Sequence, residues 1–543
     1  MWWQTGLLAT GLFLAGAGTA AARTWEEELD GLVAARRDEE VRAIQEVLRI
    51  PSYNHGSPTT PAPGVVRVLD TLLARAEGMG MRTRRHPEAR YGIVEIGPED
   101  AREMVMVLGH LDTVPEGNPA LWTLAGPFEG KVVDGRIVGR GATDDKGPCL
   151  ASRYAKKALQ EAKLPLKRRI RLFLGTSEDG AGLDGLSWSC VAAYAELCRR
   201  GEEEWPTLGF SPDTGSFTVT YIEKTGVNVL GDLPLRSPAS ARLVALRGGS
   251  APNAVSDLCT FVLETTDEAG AEALRAALEA AAAGQPWQDA AKVRREGTTV
   301  RGEVIGVAAH SGQAWKGRSA NVRALFLLAQ AAPGEDWGKA AAKLVELLGV
   351  DRADGEALGI RQGDPEKDDN VTVNLGLLEL KVREGEPRLT FHVNIRYPGA
   401  GADLKVPTLR HFTGGQIREK VATAFRAAGF QVGEGKEIAL TGGGEPYTVP
   451  WDSEIVVRLR KAYRDAAGED REPEIVFGGT YASAWRNEPV DDRGTLFGYR
   501  MAAWGMEGGA GEHEPDESLT LEGLERGTRI LARALAGLGG ATD

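Results

Sequence analysis

Residues 104–117 read MVMVLGHLDTVPEG, an apolar run that ends in a histidine and an aspartate one residue apart. A strand points alternate side chains to opposite faces, so His110 and Asp112 share a face. In an open α/β sheet, ligands bind in the crevice outside the carboxyl ends of the strands. The pair is placed for chemistry if other strand ends supply what it lacks.

Four other stretches do. The loop GRGATDDKGP carries Asp144 and Asp145, and the run Ile170–Leu174 leads into GTSEDGAG with Glu178 and Asp179. The run Leu208–Phe210 leads into SPDTGSF with Asp213, and GEHEPDES near the C-terminus adds His513. Imidazoles with carboxylates suit zinc, or manganese and cobalt at more oxygen-rich positions. Five ligands with one bridging carboxylate would hold two divalent ions, and two ions about 3.5–4 Å apart acidify a water and stabilise an oxyanion. A spare carboxylate beside a ligand is then the natural general base. Taken singly, each residue has a plainer reading. Asp144 or Asp145 could cap a helix starting near Cys149, and Glu178-Asp179 could be a solvated turn. Jointly those readings are hard to sustain, because all these loops fall where one crevice would be.

The rest of the chain bounds the answer. At 543 residues it exceeds one ordinary domain. Its 42% hydrophobic and 26% charged content is that of a globular protein. A net charge of −13 argues against nucleic acid or an anionic membrane surface as partner. Residues 1–22, MWWQTGLLATGLFLAGAGTAAA, carry no charged side chain and end in small residues, which reads as a signal peptide and a secreted or periplasmic protein. The apolar centre is shorter than the ~20 residues that span a bilayer. Four cysteines make no disulfide scaffold, and Cys190 and Cys198 are either a pair or two buried thiols.

Helical patterns at Trp25–Val47, Val65–Gly78 and Leu150–Glu161 alternate with strand-like runs at Gly92–Ile96, Met104–Leu108, Ile170–Leu174 and Leu208–Phe210, an α/β layer. Residues 216–440 change character. They hold alternating stretches (Thr218–Tyr221, Leu389–Ile395) and Ala-rich helices, which is an α+β insert. Helix–strand alternation resumes with Ile455–Ala466, Glu474–Phe477 and Leu521–Leu538. The expected organisation is a signal peptide (1–22), a catalytic domain in two parts (23–215 and 441–543) and a lid domain (216–440) between them.

On GHLDTVPEG, GRGATDDKGP, the acidic pair after GTS, PD before glycine, FGGTYA and GEHEPDE, the chain resembles the M20 metallopeptidases, most closely the PepV-like dipeptidases, over roughly Thr24 to Leu538. The resemblance implies a catalytic domain of mixed sheet flanked by helices, with the insert as lid. It implies that His110 and Asp213 bind one ion, Asp179 and His513 the other, that Asp144 bridges both, and that Asp112 orients His110. Glu178 would be the general base. From the lid, His310 in GVAAHSGQ would reach the reacting carbonyl oxygen, Asn253 in GGSAPNAVSD would lie near the substrate, and Arg396 in HVNIRYP would bind its free carboxylate. Gly479 and Thr480 would meet the substrate too. An insert large enough for two lid modules implies a self-contained monomer.

Two departures stand out. Relatives more often carry two glutamates where this chain has Glu178-Asp179, and the stretch from Asp179 to Asp213 is long. The expectation is a two-metal dipeptidase acting on small peptides with a free C-terminal carboxylate. Its rival is a deacylase removing acetyl or succinyl groups from amino acids. A binding protein that had lost catalysis would be expected to lack the base or a ligand, and none is missing.

Overall fold

The computed structural model describes residues 24–54, 60–179, 188–235, 240–366, 369–399 and 411–541. The expected signal peptide lies outside them.

A mixed sheet of nine strands carries the carboxyl ends that the sequence singled out. Its order is Arg82–Arg85, Tyr91–Ile96, Arg169–Gly175, Met104–His110, Leu208–Ser211, Met501–Ala503, Thr220–Glu223 and Tyr447–Thr448, with Glu474–Val476 also paired to Thr220–Glu223. Arg169–Gly175, Met104–His110 and Leu208–Ser211 are adjacent and parallel, so their carboxyl ends open on one side. Those strands are buried along their whole length, as parallel strands covered on both faces must be. Helices Trp25–Leu48, Pro63–Gly78, Lys146–Glu161, Glu454–Ala467 and Leu521–Leu538 pack one apolar core against it. Thr220–Glu223 belongs to this sheet and not to the insert in which its alternation first placed it. Alternation shows that a strand forms, not which sheet it joins.

The second sheet has eight antiparallel strands from Thr225–Pro234 to Ile438–Gly442. Helices Glu268–Ala282, Ala320–Ala331, Asp336–Leu348 and Gly414–Ala427 cover one face. Strand Glu386–Tyr397 shows how the faces divide. Val393, Ile395 and Tyr397 point into that core, which leaves His392, Asn394 and Arg396 for the opposite face.

The long segment after Asp179 resolves from Trp188 onward into a helix, Ser189–Arg199, whose Cys190 and Tyr194 pack with Phe173, Trp485 and Phe497. Cys190 and Cys198 are not bridged; all four cysteines are buried free thiols.

Candidate metal centre and substrate cleft

In the motif GHLD the side chains alternate as the strand pattern requires. Leu111 is buried in the helix-side core, while His110 and Asp112 turn to the opposite side. Gly109 has a specific reason to lack a side chain, since a Cβ there would lie 2.3 Å from Cys149 Sγ and 2.6 Å from Asp145 Oδ2. That close approach lets Asp145 Oδ2 accept the His110 backbone N–H at 3.1 Å. Asp145 occupies the N-cap position of helix Lys146–Glu161 without a side-chain cap bond, so simple helix capping does not explain the acidic pair.

Asp144 stands between the two histidines. Its Oδ1 is 2.9 Å from His110 Nε2 and its Oδ2 is 2.9 Å from His513 Nε2. Asp213 Oδ2 lies 3.8 Å from His110 Nε2, and Asp179 Oδ1 lies 3.2 Å from His513 Nε2. His110, Asp144 and Asp179 offer ligand atoms within 4.8 Å of one another, as do His110, Glu178 and Asp213. His110 Nε2 and Asp144 Oδ1 face each other, buried, yet neither makes a hydrogen bond. Two such atoms are satisfied when a cation sits between their lone pairs. Nitrogen and carboxylate oxygen in this proportion form a donor set that fits divalent metal.

The electrostatics say the same. Burial, then the charges of Asp179, Asp144 and Asp112, push Glu178 well above the usual carboxylate range. Asp213 is raised well above it too, by burial and by Asp144. Burial opposes protonation of His110, but the adjacent carboxylates of Asp112, Asp144 and Asp213 outweigh burial and hold its pKa well above the usual value.

Asp112 is fully buried, and both its oxygens accept the Glu178 backbone N–H at 2.9 Å. It therefore ties the strand end bearing His110 to the loop bearing Glu178. The Trp188 indole N–H donates to Glu178 Oε1 at 3.2 Å, so the long segment supplies part of the cleft's rim.

The lid residues converge on the same place. A cleft of about 230 Å³ is lined by Glu178, Asp179 and Asp213 from one side and by Asn253, His310 and Arg396 from the other. His310 Nδ1 accepts the Gly312 N–H at 3.0 Å, which leaves its ring proton on Nε2. Burial and the nearby His513 and Arg396 keep this imidazole neutral, with its pKa well below the usual value. A neutral Nε2–H is a donor suited to a developing oxyanion. Arg396 donates from Nε to Asn394 Oδ1 at 2.9 Å, and Ser311 Oγ donates to the same oxygen at 2.8 Å. Asn394 thus fixes the spacing between His310 and Arg396. Among the described residues no carboxylate lies within ion-pair distance of Arg396. Gly479 and Thr480 line the cleft, but the Thr480 N–H and hydroxyl both donate to the buried Glu223, at 2.9 and 2.8 Å. Thr480 thereby braces its loop with the groups expected to meet substrate.

Glu517 was not singled out, although it lies inside the quoted GEHEPDES. It is fully buried and accepts from the backbone N–H groups of Gly141, Thr143 and Asp144 at 3.0, 2.9 and 3.2 Å, and from Arg140 Nη1 at 2.8 Å. It holds the loop that presents Asp144. Its removal leaves a buried guanidinium unpaired, so Glu517→Ala is expected to destabilise the protein by about 3–5 kcal/mol, read by urea unfolding. An unchanged unfolding midpoint would refute this bracing.

The family model described as Peptidase family M20/M25/M40 matches residues 106–537. "Putative dipeptidase YtjP" of Bacillus subtilis (strain 168) is 28% identical over 526 residues, covering 94% of this chain and 98% of that protein. The Beta-Ala-Xaa dipeptidase of Lactobacillus delbrueckii subsp. lactis is 26% identical over 523 residues, covering 93% and 97%. Among solved structures, human carnosine dipeptidase 1 matches in fold with a TM-score of 0.53 at 15% identity, over 95% of this chain and 100% of that one.

Proposed function

We propose that this chain, which belongs to peptidase family M20/M25/M40, is a two-metal dipeptidase that hydrolyses the amide bond of dipeptides with a free C-terminal carboxylate. The observation that carries this reading is Arg396, a guanidinium without a carboxylate partner among the described residues, facing the cleft that also holds the acidic cluster. A guanidinium fork binds a carboxylate bidentately. Set across a small cleft from the reacting centre, it would select short substrates by measuring from the scissile bond to the C-terminus. The names of the relatives YtjP and Beta-Ala-Xaa dipeptidase support the same substrate class.

His110, Asp144, Asp213, Asp179 and His513 would hold two divalent ions, zinc, manganese or cobalt. When bound, such ions polarise a carbonyl and lower the pKa of water. The chain's own residues do the rest. Arg396 anchors the carboxylate, Glu178 takes the proton of the attacking water and passes it to the leaving amine, and His310 Nε2–H donates to the carbonyl oxygen as charge builds there. Asn253 Oδ1, a buried acceptor without a hydrogen bond, lines the cleft and favours an ammonium over an acyl methyl at the substrate's other end.

The test is hydrolysis, by chelator-stripped protein with zinc or manganese restored, of a dipeptide and its N-acetylated counterpart in parallel. Metal-restored cleavage of the free dipeptide alone is expected. Release of acetate in its place would make the protein a deacylase. Arg396→Ala is expected to raise KM for the dipeptide at least tenfold, since charge-assisted bidentate bonds are the strong ones, and to change little for the C-terminally amidated form. Equal loss on both would remove the anchor role.

A further inference from the structure

A second cavity of about 340 Å³ adjoins the cleft and shares Trp188, Arg396 and Gly479 with it. Its wall also carries Arg486, half-buried, with Nη1 donating to the Pro446 carbonyl at 3.2 Å and its guanidinium 5.8 Å from the Tyr447 ring centre. No carboxylate lies within ion-pair distance of Arg486 among the described residues.

The other charges lining the cavity are engaged. Glu488 pairs with Arg199 at 2.9 Å, and Glu223 accepts both donors of Thr480. Glu445 accepts the Gly414 N–H at 3.0 Å. Lys224 donates to Asn370 Oδ1 at 2.9 Å and to the Gly312 carbonyl at 3.3 Å. Two guanidiniums therefore face this space with bonding capacity to spare, Arg396 at its junction with the cleft and Arg486 farther in.

We infer that this second cavity receives the side chain of the substrate's C-terminal residue, and that Arg486 makes it favour an acidic one, aspartate or glutamate. The inference rests on the dipeptidase reading. If Arg396 holds the terminal carboxylate, the side chain branches from the same Cα, and the cavity that shares Arg396 is the space beside it. The volume admits a glutamate side chain. A carboxylate there would meet a fixed guanidinium backed by an aromatic ring, a geometry Arg provides and Lys does not. A lysine side chain would instead add its ammonium to the cations Arg396, Arg486 and Lys224 that line the cavity.

The experiment compares kcat/KM for Ala-Ala, Ala-Leu, Ala-Glu and Ala-Lys in the metal-loaded parent, Arg486→Met and Arg486→Glu. The parent is expected to favour Ala-Glu over Ala-Lys by about tenfold or more, as a charge-assisted bidentate bond implies. Arg486→Met should level that ratio, and Arg486→Glu should reverse it. The parent's own ranking is read without any variant, so poor folding of a variant cannot hide a failure. Cleavage of Ala-Ala with no acidic preference would overturn the subsite alone. A preference that survives Arg486→Met would overturn the role of Arg486. Failure to cleave any of the four would overturn the dipeptidase reading and this inference with it.

Discussion

Glu178→Ala is expected to lower kcat by about 10²–10⁴-fold, the usual worth of a positioned general base, while the protein still binds two metal ions. The separation of the two effects follows from the geometry. Asp144 lies between His110 and His513, with Asp179 beside His513 and Asp213 near His110, so the proposed ligand set is complete without Glu178. The Glu178 carboxylate is placed by its neighbours, its backbone N–H fixed by Asp112 and its Oε1 by the Trp188 indole. Turnover and metal content, read on the same sample, decide the matter. An active variant would remove Glu178 as base. An inactive variant that has lost an ion would make it a ligand, a role its proximity to His110 and Asp213 also permits.

The constellation was legible in the sequence because it follows local rules. His110, Glu178 and Asp213 each come at or just after an apolar strand, and adjacent parallel strands bring such ends together whatever lies between them. Strand HVNIRY announced its two faces by alternation alone. What sequence spacing could not carry is contact across the chain. Glu517 braces a loop 377 residues away at Arg140, and Glu223 braces Thr480 across 257 residues. Neither residue differs in type or setting from many other glutamates here. Asn394 was visible only as a neighbour of Arg396; its bond to Ser311, which ties the oxyanion donor to the carboxylate anchor, needs the two elements docked. The cysteines carried no local signal either way. Their burial as separate thiols follows from helix Ser189–Arg199 turning Cys190 into an aromatic cluster.

Stripping the ions with a chelator is expected to abolish turnover, and to destabilise the protein increasingly as pH rises. In the metal-free protein Glu178 and Asp213 have pKa values well above the usual range, from burial and from neighbouring carboxylates. His110 and His513 are raised too, because their carboxylate partners outweigh burial. All four bind protons more tightly folded than unfolded. Their contribution is therefore full below the unfolded values, about 4 for the carboxylates and about 6.5 for the histidines, and is lost as pH climbs toward the folded ones. Asp144 runs the other way, since His110 and His513 depress it against the effect of burial; its contribution is present above its usual range and is lost only as pH falls below it. Bound ions partner the same carboxylates and histidines in their deprotonated forms. The gap in Tm between ion-loaded and chelated protein should accordingly widen as pH rises above the unfolded carboxylate value of about 4, and further above the unfolded histidine value of about 6.5. A gap that stays constant or narrows over that rise would mean that the acidic cluster is not where the ions bind.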